Sequence, residues 1–152
     1  MKHCLLALLL LFSTFSLAQI APAKGDNTIE FTATQSVPVI YKTISLTLLD
    51  TGYPFKADEA SCLFRTEGRA LPKQPGLEFY ALISFRGGKL RVTATLRNTA
   101  NASNGLTSAD NGPIPVEYDT IPMQQAGFSM LDELAHKLVS ALEGSELTYS
   151  RQ

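Results

Sequence analysis

The chain has 152 residues, 45% hydrophobic and 18% charged, which is enough for one domain with a packed core and excludes a disordered chain. Thirteen Lys and Arg against 14 Asp and Glu give a formal charge of −1, so the basic balance of a nucleic-acid binder is missing. Two cysteines, one of them in the first apolar run, exclude a disulfide scaffold.

Residues 1–18 carry a secretory signal. Lys2 and His3 make a short polar start, and Cys4 to Phe12 is a continuous apolar run. Ser16-Leu17-Ala18 sets small residues at the −3 and −1 positions of a cleavage site before Gln19. The run is shorter than the ~20 residues of a spanning helix. The mature chain would keep 12 Lys and Arg against 14 Asp and Glu. Only Cys62 would remain, expected as a buried hydrophobe on a strand. The sharper alternative for Cys62 is an intermolecular disulfide or a nucleophile. Residues 19–27, with Pro22, Gly25 and Asp26, read as a flexible leader.

Thr28 to Thr34 alternates, with Ile29, Phe31 and Ala33 on one side, as in a half-buried strand. The next stretch, Val37 to Tyr53, fits two periods. Ile44 to Leu48 alternates like a strand, but Val37, Ile40, Tyr41, Ile44 and Leu48 share one helical face. Ser36 as an N-cap, Pro38 in the first turn and Gly52 after the last turn decide for a helix over 37–51. Leu46 and Leu49 then lie off the core face.

Ala60 to Glu67 is expected as a strand with Cys62, Phe64 and Thr66 on one face. Leu77–Arg86 and Lys89–Arg97 alternate on either side of Gly87-Gly88, the signature of a two-residue hairpin turn. That turn predicts Phe85 opposite Leu90, Ile83 opposite Val92, Ala81 opposite Ala94 and Phe79 opposite Leu96. On the other face it sets Glu78 opposite Arg97, Tyr80 opposite Thr95, Leu82 opposite Thr93 and Ser84 opposite Arg91. A slip of one residue would turn one strand's apolar set outward.

Residues 98–127 form a long polar connection with a short strand expected near Val116 to Tyr118. Asn101-Ala102-Ser103 matches a glycosylation acceptor, meaningful only in a eukaryotic secretory pathway. Ser129 to Glu143 is expected as a helix, with Ser129 and Asp132 as a capping box and Leu131, Leu134, Ala135, Leu138, Ala141 and Leu142 as its stripe. Gly144 ends it, and residues 145–152 are a tail.

The expected architecture is therefore one α+β domain over 28–144. It is an antiparallel sheet with two helices on one face, in β-α-β-β-β-α order. This order, with the pieces KGDNTIEF, LLDTGY, FRTEG and LEFYALISFRGGKLRVTATL, resembles small exported bacterial proteins of unknown function with a TBP-like or helix-grip fold. The likeness covers Lys24 to Gly144 and extends to the lipoprotein domains that assist outer-membrane barrel assembly. It implies an envelope protein and brings no catalytic residues with it.

The chemistry-bearing residues are sparse. His136 falls beside Lys137, off the apolar stripe, as a solvated side chain. Asp58-Glu59 is an acidic pair on a turn. Arg86-Gly87-Gly88-Lys89 lacks the glycine spacing of a phosphate loop. No Cys or His cluster suggests a metal, and no motif suggests a cofactor. The candidate site is the sheet face away from the helices, carrying Tyr80, Leu82, Arg91 and Arg97, where a ring beside guanidinium groups suits an anionic or aromatic group. The bland alternative is a solvated face whose arginines pair with Glu78 and similar partners. The function expected is an exported, non-enzymatic binding or envelope-assembly module. Its partner would be a protein or a small anionic ligand, with no nucleic acid and no membrane span. The alternative is a small periplasmic or extracellular hydrolase using carboxylates such as Asp58, Glu59 or Asp119.

The processing expectation is open to direct measurement. N-terminal sequencing of the exported protein should begin at or near Gln19, and Met1 retained in a membrane fraction would contradict it.

Overall fold

The computed structural model describes residues 21–99 and 112–152. The expected signal peptide and the Asn101 acceptor lie outside the described residues. In chain order the elements are β1 (Thr28–Thr32), α1 (Val37–Asp50), β2 (Phe55–Asp58), β3 (Leu63–Thr66), β4 (Arg69–Ala70), β5 (Leu77–Arg86), β6 (Lys89–Asn98), β7 (Ile114–Pro115), α2 (Pro122–Ala141) and β8 (Thr148–Ser150). They make an α+β fold: one open antiparallel sheet of eight strands, with two helices.

Gly87 and Gly88 reverse the chain with φ of 60° and 80°, the positive values a two-residue hairpin requires. The β5–β6 register follows as expected, from Arg86↔Lys89 through Ile83↔Val92 to Leu77↔Asn98. The other strands extend these rows. One inner row crosses the sheet as Ala57, Phe64, Ile83, Val92, Ile29 and Tyr149. The neighbouring outer row is Lys56, Arg65, Leu82, Thr93, Thr28 and Ser150. The sheet order is β2-β3-β5-β6-β1-β8, with β4 beside β5 and β7 beside β6.

The helical period prevails between Val37 and Asp50. Ile40, Ile44 and Leu48 are fully buried, and the Tyr41 ring packs 5.0 Å from that of Phe64. Leu46 and Leu49 lie off the core face, as expected, and are exposed, but so is Val37. Ser36 stands at the N-cap in an extended conformation without making a side-chain cap bond. Gly52 follows in the left-handed region, φ 73°.

The second helix departs from expectation. It starts at Pro122, not Ser129, and Ser129 lies exposed inside it. Asp132 accepts a hydrogen bond from the Tyr149 hydroxyl at 2.7 Å instead of capping. The early polar residues belong to the helix for tertiary reasons. Buried Gln124 accepts from Glu117 N–H at 2.9 Å and donates to the Pro115 carbonyl at 3.0 Å. A Cβ on Gly127 would stand 3.2 Å from Val116 and 3.3 Å from Leu96, so glycine lets the helix settle closely on the sheet. At the far end Glu143, not Gly144, takes the left-handed conformation, φ 45°. Gly144 is instead pressed against the Phe31 ring.

Three further differences concern strands. β2, β4 and β8 were not expected, and β8 comes from residues read as a tail. Cys62 is buried, but it sits in the turn before β3 with φ 47° rather than on the strand. The strand expected near Val116 to Tyr118 is found at Ile114–Pro115. Val116 N–H still reaches the Ala94 carbonyl at 2.9 Å, and Tyr118 N–H reaches Asp26 at 2.7 Å.

Adjacent residues on β5 test the two faces. Ile83 is fully buried and Leu82 is 38% exposed. Ile83→Ala should cost about 2–5 kcal/mol through lost burial and a cavity, and Leu82→Ala clearly less. Equal losses in denaturant melts would mean that both faces are covered.

Candidate binding cleft on the outer sheet face

The cleft forms where the β3–β5 ladder breaks. Arg65 lies opposite Leu82, and four residues later Arg69 lies opposite Phe79, only three residues back along β5. The extra residue is a bulge. At the break the Thr66 hydroxyl takes the place of a backbone partner: Ala81 N–H donates to its Oγ1 at 2.8 Å. The bulge also reverses the side on which side chains emerge. Arg65 points outward, whereas Arg69 turns to the helix side, 4.7 Å above the Tyr53 ring, and donates to the Thr51 carbonyl at 3.1 Å. Gly68 passes so close to Tyr80 and Glu78 that a Cβ there would overlap both.

Beside this break lies an open cleft of about 270 Å³, lined by Arg65, Tyr80, Leu82, Thr93, Thr95 and Arg97, among others. The Tyr80 hydroxyl donates to Glu78 Oε2 at 2.6 Å. That bond, then burial, raises the Tyr80 pKa above its ordinary value, so the hydroxyl stays protonated. Arg97 faces Glu78 in the register, yet its guanidinium lies over the Tyr80 ring, 5.0 Å from the centroid. Among the described residues, no ion pair engages Arg65 or Arg97.

The four residues named from the sequence do not all converge. Tyr80, Leu82 and Arg97 share the cleft. Arg91 does not: its Nε donates to Glu30 Oε1 at 2.6 Å and its Nη1 to Gln152 Oε1 at 3.1 Å. It borders a separate, larger groove of about 810 Å³ at the hairpin end, with Glu30, Ser84, Arg86 and Lys89. Besides Ala81 and Ala94, the cleft residues that sequence reasoning missed are Arg65, Thr66, Thr93 and Thr95. The two threonines were visible as the hairpin partners of Leu82 and Tyr80. Arg65 and Thr66 required the β3–β5 pairing, which no tight turn announces.

Charge is unevenly spread over the fold. The strands turn six cations to the outer face (Lys56, Arg65, Arg86, Lys89, Arg91 and Arg97), all exposed, against the three acids Glu30, Asp58 and Glu78. That face is net +3. The other charged residues among those described, six basic and ten acidic, are net −4.

The remaining candidates are held by local bonds. Asp58 accepts from Ser61 Oγ at 2.7 Å and from Ala60 N–H at 3.1 Å, and the Ser61 bond leads in lowering its pKa. Asp119 accepts from Thr120 N–H and lies 3.5 Å from Lys24 Nζ, and its pKa is also lowered, chiefly by the Thr120 bond. Glu59 is exposed on the same turn as Asp58. His136 is exposed, 3.7 Å from Asp132. Burial raises the Cys62 thiol. Among the described residues, no group of three or more His, Cys, Asp or Glu is placed to hold a metal ion. Among them, too, no helix is long and apolar enough to cross a membrane. Neither a scan against protein-family models nor a search of curated proteins gives a match.

The bulge can be tested through Thr66. Thr66→Val leaves the buried Ala81 N–H without its acceptor and should cost about 1–3 kcal/mol, while Thr66→Ser, which keeps the hydroxyl, should cost much less. Denaturant midpoints for the two variants give the comparison, and equal losses would show that the methyl group rather than the hydrogen bond matters.

Proposed function

We propose that this chain is exported and serves as a non-enzymatic binding or assembly module of the cell envelope, engaging its partner through the outer face of the sheet. The observation that carries the reading is the pair of guanidinium groups, Arg65 and Arg97, beside Tyr80 in an open cleft without ion-pair partners among the described residues. Each guanidinium offers five donors and no acceptor, and planar cations beside aromatic rings are common anchors of recognition surfaces. The signal-like segment before Gln19 supports export. In this reading the layer of sheet and helices is a variant of the TBP-like or helix-grip arrangement. β2, β4 and β8 are additions to the strands expected from the sequence.

The test is capture from a native envelope extract, comparing the intact protein with an Arg65→Ala/Arg97→Ala double variant. Leu46→Ala, on the exposed side of α1, serves as the control. Partners should be lost with the double variant and kept with the control. Retention of every partner by the double variant would remove the outer face as the docking surface.

A further inference from the structure

We propose that the Tyr80 cleft takes one kind of occupant: an anionic amphiphile, meaning a carboxylate or phosphate group carried on a short apolar body. This rests on the outer face being the docking surface, and it goes further by naming the chemistry that fits.

Three observations point the same way. The first is the unspent donor capacity of Arg65 and Arg97. Arg97 lies over the Tyr80 ring with no ion-pair partner among the described residues, and its planar fork suits a carboxylate or phosphate. Of the acids nearby, Glu78 accepts from the Tyr80 hydroxyl and makes no ion pair with Arg97, and Glu30 holds Arg91.

The second is the lining. Leu82 stays 38% exposed beside Arg65 and Thr93, in the cleft that Thr95 and Arg97 also line. An inorganic anion would leave that apolar surface in water, whereas an attached apolar body would cover it. The space of about 270 Å³, below the roughly 300–1,000 Å³ of pockets for drug-sized ligands, suits a small occupant. That is an acidic head with a short chain, and any longer tail would run out along the face. The third is the field. The outer face is net +3 while the other described residues are net −4, so an anion is drawn to this side of the molecule.

Such a group could be a free acid or the head of a membrane lipid, and the experiment separates the two. The full mature chain, labelled with ¹⁵N, is titrated with octanoate, octyl phosphate, inorganic phosphate and the neutral octyl glucoside, each below its micelle concentration. The amides of Leu82, Thr93 and Thr95 are followed. Both octyl anions should shift these amides saturably, with inorganic phosphate much weaker and octyl glucoside without effect. Arg97→Lys keeps the charge but loses the planar fork, and should weaken octyl phosphate about tenfold. Arg65→Ala/Arg97→Ala should abolish the shifts while the rest of the spectrum shows the fold intact.

Sedimentation with anionic phosphatidylglycerol vesicles against neutral phosphatidylcholine vesicles assigns the source. Binding to anionic vesicles with the same amides shifted identifies a lipid head group. Binding of the monomeric anions alone identifies a free acid. Octyl glucoside binding as well as the anions, or no movement of these amides with any probe, would overturn the proposal. Vesicle binding that leaves these amides unmoved would do the same. If it is overturned while envelope capture still depends on Arg65 and Arg97, the docking surface stands and only the occupant is wrong. If capture is indifferent too, both readings fall.

Discussion

Between Arg86 and Lys89 the backbone reverses in two residues with positive φ, and only a pair such as Gly87-Gly88 does this without strain. The turn sets which β6 residue stands opposite each β5 residue, and it leaves no freedom to slip. Phe79, Ala81, Ile83 and Phe85 then meet Leu96, Ala94, Val92 and Leu90, while the charged and polar residues share the opposite surface. β1 pairs along β6 in the same phase, so Ile29 and Phe31 join the inner rows. The core beneath α1 and α2 is therefore set in position by one turn at the edge of the molecule.

The bulge at Thr66 shows how a single added residue redirects the chemistry on either side of it. A regular strand would leave Arg65 and Arg69 on the same face. With the bulge, one arginine is left over the outer surface and the other is stacked on Tyr53, near the end of α1. The side-chain hydroxyl of Thr66 makes this tolerable, because it satisfies the Ala81 N–H exposed by the break.

The hairpin and α1 were legible because each is specified by contacts close in sequence: the two glycines in one case, the 3.6-residue stripe with Ser36 and Pro38 in the other. β2 was not, because three of its four residues are exposed and give no alternation. β4, β7 and β8 are two or three residues long, too short for any period to show. The first turns of α2 were hidden for a different reason. Gln124 and Gly127 look like loop residues, and their roles depend on Glu117, Pro115, Leu96 and Val116. The candidate site divides in the same way. Tyr80, Leu82 and Arg97 followed from the hairpin register, whereas Arg65 entered from β3 and Arg91 was drawn off by Glu30 on β1.

The surplus of cations on the outer face of the sheet also bears on how copies of this protein meet one another. Two outer faces approaching each other are both net positive and repel at distances within the Debye length, about 10 Å at 0.1 M salt. Stacking sheet on sheet, the arrangement that would cover Leu82 most easily, is thereby disfavoured. The attractive encounter is head to tail, the sheet of one copy against the acidic remainder of the next, which does not close into a symmetric pair. At low ionic strength the molecule should thus behave as a weakly self-attracting dipole, and added salt should relax that attraction.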